Sequence, residues 1–123
     1  MASIADYVLD AALSVLDTEA DVLHITSTEA TTFTEATSTL SLGSSGTFSI
    51  GAPADRTGGG REVAVDAITD GSITGTGTAA FYAIVDTVNS RLLVTGSLSA
   101  SQAVTAGNSF TLATFKIGIP DPA

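Results

Sequence analysis

The start of the chain carries a helical pattern of apolar and polar residues. Apolar residues recur at spacings of three and four, and acidic or small polar residues take the opposite face. This predicts an amphipathic helix over residues 3–18 with Ser3 as its N-cap. Because an isolated helix of this length is marginal in water, Val8, Val15 and Leu16 are expected to be buried, on the same domain or against a neighbouring subunit. The full apolar set is Ile4, Tyr7, Val8, Ala11, Ala12, Val15 and Leu16.

From Asp21 onward the apolar period shortens to two, and Thr, Ser, Val, Ile and Gly dominate. Such alternation is typical of strands with one solvated face and one core face. Residues 80–85 are apolar at both parities, which predicts a central strand covered on both sides. The pattern therefore indicates a mainly β fold, an antiparallel β-sandwich of jelly-roll or immunoglobulin-like type with about seven to nine strands. The predicted strands are residues 22–27, 39–42, 47–51, 62–69, 72–78, 80–86, 92–98 and 110–117.

Turn-forming residues separate these strands at short intervals. Asp70 and Gly71 between two apolar segments predict a hairpin, because glycine accepts the positive φ of a tight turn. Further turns are predicted at residues 43–46, 88–90 and 106–108.

The alternation slips by one residue at two places, near residues 66–67 and 113–114. A β-bulge restores the core face after such a slip, so a bulge is predicted at each. Residues 26–39, rich in Thr and Glu, predict a loop with a short edge strand. Residues 51–60 predict an exposed, mobile loop, and the two prolines of residues 119–123 predict a tail that cannot extend a sheet.

Length and charge limit the function classes. The 123 residues form one predicted domain, large enough for a core without disulfides or metals. Four Lys and Arg against 13 Asp and Glu give a net charge of −9. Nucleic acid and anionic membranes are therefore not expected as partners. The absence of cysteine excludes thiolate chemistry, and the start of the chain lacks a signal-peptide pattern, so synthesis in a cytoplasm is expected.

Candidate catalytic and metal-binding residues are few. His24 is the single histidine and has no nucleophile motif near it, which favours a half-buried position on a sheet face. The spacing of Asp66, Asp70 and Asp86 near strand ends does not match an EF-hand loop. No enzyme activity, cofactor or metal is therefore predicted. Paired carboxylates for glycoside hydrolysis were weighed on the same grounds and are better explained as solvated side chains: Glu29, Glu35, Asp66 and Asp70.

The glycine-rich segment between Arg56 and Arg61 lacks the Gly-Lys-Ser/Thr ending of a phosphate-binding loop. Its two arginines either anchor the loop, reach acidic groups of a neighbouring subunit, or are simply solvated. Together with the prolines of the tail they are the candidate partner contacts: Arg56, Arg61, Pro120 and Pro122.

Several segments resemble a family of short proteins encoded among the virion genes of tailed phages and prophages, notably in alphaproteobacteria. They cover most of the chain and comprise residues 4–13, 34–39, 51–55, 68–79, 106–112 and 119–123.

This resemblance implies a virion component made in the host bacterial cytoplasm. It implies either a capsid decoration (cement) protein on the outside of the head, or a head or tail fibre part in contact with host glycans. The expected partner is the major capsid protein or another virion protein, and a closed homo-oligomer is expected. The resemblance carries no catalytic residues.

Overall fold

The computed structural model describes residues 4–121. In this part of the chain 48% of the residues lie in strands of antiparallel sheets, and one α-helix precedes them. The predicted fold class, mainly β and sandwich-like with one N-terminal helix, is confirmed.

The α-helix, α1, spans Asp6–Glu19, and a short π-helix spans Glu35–Thr39. Ser3, the predicted N-cap, lies outside the described residues. The strands are β1 (Val22–Thr26), β2 (Ser41–Ser45), β3 (Ala54–Asp55), β4 (Arg61–Val65), β5 (Ile68–Ile73), β6 (Gly77–Asp86), β7 (Arg91–Val104), β8 (Ser109–Leu112) and β9 (Phe115–Ile119).

The chain forms two compact units, and the prediction of a single domain over residues 1–123 stays a prediction. The first unit combines α1 with an antiparallel sheet in the order β3–β4–β9. α1 lies against β4, and both elements bury apolar side chains. The buried residues of the two elements are Leu9, Leu13, Leu16, Val63 and Val65.

The second unit contains an antiparallel sheet in the order β7–β6–β1–β2–β5–β8. β6 is paired on both edges, and Ala83, Ile84 and Val85 are buried in succession. Because successive side chains of a strand point to opposite faces, both faces of β6 are covered here, which confirms the predicted central strand. The π-helix region contributes Ala36 to the cluster around Ala83 and Val85.

Several predicted local features are wrong. Asp70 and Gly71 do not form a hairpin but lie inside β5, where the Phe110 ring occupies the place of a Gly71 side chain. Residues 43–45 belong to β2 rather than to a turn, and residues 26–39 contain the π-helix instead of an edge strand.

The two predicted bulges are also wrong. At residues 66–67 and 113–114 the strands end, and the next strand belongs to the other sheet. The slip of parity is real, but it marks a change of sheet. The predicted strand at residues 47–51 is reduced to a single bridge between Ile50 and Val65.

Candidate functional site

Arg61, a predicted partner contact, is held by carboxylates of its own chain. Its guanidinium contacts Asp10 at 2.8 and 3.2 Å, Asp55 at 2.6 Å and Asp6 at 3.8 Å. Hydrogen bonds to Asp10 and then to Asp55 raise the pKa of Arg61 above its ordinary value. The side chain is only 16% exposed, so Arg61 links α1 to β3 and β4.

Arg56 begins the turn between β3 and β4. Its backbone N–H donates to the Gly60 carbonyl at 3.1 Å, and its guanidinium donates to the Gly59 carbonyl at 3.1 Å and the Thr57 carbonyl at 3.4 Å. Within residues 4–121 this guanidinium contacts no carboxylate, in contrast to that of Arg61. Arg56 is therefore the better placed of the two arginines for a partner's acidic group.

The tail follows β9 alongside this turn. Pro120 is exposed and directly follows the last strand residue, Ile119. Gly60, at φ 93°, passes so close to the Ile119 carbonyl that a Cβ there would lie 2.0 Å from the oxygen. Pro122, the fourth predicted contact, lies outside the described residues.

The sequence did not identify the most exposed apolar surface of the first unit, which we call the outer face of α1 and define as Tyr7, Val8, Ala11 and Val15. Tyr7 is 84% exposed, Val8 55% and Val15 50%, and Ala11 is also exposed. These residues recur at three and four, so they share one side of the helix. The expected burial of Val8 and Val15 is therefore wrong within the chain, whereas that of Leu16 is confirmed.

An acidic stripe borders the outer face of α1. Asp6, Asp10 and Asp17 lie along one flank of the helix, since they are spaced by about one and two turns. Arg61 neutralises part of this charge through Asp10 and Asp6. The last turn of α1 contains no basic residue, so the flank keeps its acidic character.

His24 lies in β1 of the second unit and is partly buried, with its Nδ1 2.8 Å from the Ser41 hydroxyl. Burial lowers the pKa of His24 below its ordinary value, because desolvation disfavours the charged imidazolium. The ring is thus neutral near pH 7 and has a structural contact. No Asp or Glu is among its hydrogen-bond partners in residues 4–121.

The aspartates considered for calcium have separate local roles. Asp70 accepts a hydrogen bond from the Thr47 hydroxyl at 2.8 Å, and Asp66 is exposed. Asp86 is buried at the end of β6, where it accepts hydrogen bonds from Asn89 and from the backbone N–H of Val88. In the described part of the chain no three His, Cys, Asp or Glu side chains converge as a metal site requires.

The hydrogen bond from the Asn89 side chain, together with those from the backbone N–H groups of Asn89 and Val88, lowers the pKa of Asp86. A charged Asp86 therefore fixes the turn between β6 and β7. Asp21 holds the other side of this turn through the backbone N–H and the hydroxyl of Thr87.

Comparison with known proteins returned no matching family model, no matching curated protein and no matching solved structure. None of the helices among residues 4–121 has the length and apolar character needed to cross a membrane.

Proposed function

We propose that this protein is a structural component of a tailed-phage virion, a capsid decoration protein that binds the outside of the head. The identity of the particle rests on the sequence resemblance. The observation that carries the attachment is the outer face of α1, an uncharged apolar surface on a chain of net charge −9.

α1 is apolar on two sides. Leu9, Leu13 and Leu16 are buried, while Tyr7 and Val8 on the other side are exposed. A helix that is apolar on both sides is normally covered on both, so the outer side calls for a second protein surface. Covering the exposed half of one valine contributes on the order of 1 kcal/mol, so a single attachment is weak and repetition over a lattice makes it effective.

The chemistry of the partner surface follows from the acidic stripe. An apolar strip bordered by Lys or Arg complements both the outer face of α1 and Asp6, Asp10 and Asp17 beside it. The helix of a second copy does not, because α1 contains no Lys or Arg. The proposed partner is therefore a shell protein with a basic border around an apolar strip, in the virion the major capsid protein.

Arg56 and Pro120 remain candidate contacts of the same attachment. Both are on the first unit, and the Arg56 guanidinium contacts backbone carbonyls rather than carboxylates. A surface ion pair of this kind contributes about 0.2–1 kcal/mol, so it supplements the apolar contact and does not replace it.

The test is co-sedimentation of undecorated heads with wild-type protein, with Val8→Asp and with Ser38→Asp. Ser38 is exposed in the π-helix, so Ser38→Asp adds the same charge away from α1. We expect wild type and Ser38→Asp to bind and Val8→Asp to lose binding while keeping its circular dichroism spectrum. Failure of the wild-type protein to bind heads would contradict the proposed function. Equal binding of Val8→Asp would place the attachment elsewhere.

A further inference from the structure

The four free sheet edges of the described residues differ in how they are protected against pairing with another strand. β3 has two residues and β8 four, too short to template a neighbour. β9 carries Lys116 and is followed by Pro120, both of which oppose edge pairing. β7 at the end of the six-stranded sheet has none of these protections.

β7 is a long, uncharged edge. It has 14 residues, of which only Arg91 is charged, and it contains no proline. In residues 4–121 its one strand partner is β6. The backbone N–H and C=O groups of its other edge are therefore in a position to bond to an added strand.

The second half of β7 is the most accessible part of this edge. Residues 99–103 are exposed in succession, so neither face of the strand is covered there. Ser99, Ala100, Ser101 and Ala103 have small side chains, which let another backbone approach closely.

We propose that β7 pairs antiparallel with the β7 of a second copy of this chain, around a two-fold axis near residues 99–101. A second copy is the occupant that the charges favour. Two chains of net charge −9 repel each other least where both are uncharged, and β7 offers such a segment. Two identical edges related by a two-fold axis also match donor to acceptor and close the assembly at two copies.

The chain has no cysteine, so single cysteines report on this pairing without background. In an antiparallel pair the residue at the axis faces itself, and residues on either side face positions displaced in opposite directions. In oxidative cross-linking of single-cysteine variants over residues 97–103, we expect one maximum and a decline on both sides. Ser72→Cys, exposed in β5, which is paired on both edges, is the control and should not cross-link.

Light scattering over a range of concentrations measures the same equilibrium. We expect wild-type protein to reach twice the monomer mass, and Ser99→Lys with Ser101→Lys to weaken the dimer by about ten-fold, because like charges then face each other across the axis. Ser72→Lys should leave the dimer unchanged. A protein that stays monomeric at every concentration would overturn the proposal. So would equal or absent cross-linking along residues 97–103, or a dimer that the paired lysines do not weaken. The measurement needs no phage heads, so it is independent of the proposed function.

Discussion

Truncation of α1 on its two sides distinguishes the buried side from the outer face. Leu13 is 2% exposed and faces the first unit's core, whereas Val15 is 50% exposed on the outer face. Leu13→Ala removes buried carbon and leaves a cavity, which typically costs 2–5 kcal/mol, so we expect a loss of about 3 kcal/mol in unfolding free energy. Val15→Ala removes two methyl groups that are half exposed, a loss of about 0.8 kcal/mol.

The gain in helix propensity from Val to Ala, about 0.6 kcal/mol, offsets most of that loss. Val15→Ala should therefore unfold at nearly the wild-type urea concentration, and Leu13→Ala at a clearly lower one, when both are followed by circular dichroism. Equal destabilisation by the two variants would refute the assignment of faces. If Val15→Ala alone were destabilising, the side identified from the sequence as buried would be the correct one after all.

Three further predictions concern the ion pairs, the histidine and the glycine turns. Arg61→Ala should lower the melting temperature more than Arg56→Ala, because it leaves carboxylates without their partner; equal melting would contradict this. Since the pKa of His24 is lowered by folding, the unfolded state takes up a proton near pH 6.5 before the folded state does, so stability should fall as the pH drops below about 6.5. His24→Gln should lack this fall in urea titrations at several pH values. Gly107→Ala should cost about 1–2 kcal/mol through its φ of 92° alone, and Gly60→Ala clearly more, because its Cβ would also strike a carbonyl; denaturation of both decides.

The sequence identified the helix but could not identify its buried side. Both Val8 with Val15 and Leu9 with Leu13 recur at helical spacing, so the period of 3.6 fits two opposite faces. The choice depends on β4, which lies more than forty residues further along the chain and packs on α1. A pattern read within the helix has no access to that contact.

The strands show a similar limit. The central strand was predictable because burial on both faces removes the alternation, as at Ala83, Ile84 and Val85. The parity slips at residues 66–67 and 113–114 were visible, yet a bulge and a change of sheet produce the same one-residue slip. Asp70 and Gly71 have the composition of a hairpin turn, but the glycine is needed to accommodate the ring of Phe110.

The candidate site was predictable only in part. Arg61 was noted for its charge, but its pairing with Asp10, 51 residues away, depends on how α1 meets the sheet. The same tertiary contact makes Arg61 an anchor within the chain and leaves Arg56 for other contacts.

The two proposed surfaces have one physical property in common, the lack of charge. The chain has 13 acidic residues, yet the outer face of α1 has none, and β7 is uncharged beyond Arg91. Depletion of charge is typical of the core of an interface, because a desolvated charge without a partner is costly. Repulsion between acidic copies disfavours contacts elsewhere on the surface, so the charge distribution restricts association as well as keeping the protein in solution. An edge that joins two copies and a helix face that binds a third protein would then act together, since each pair presents two helices to a repeating lattice and gains from both.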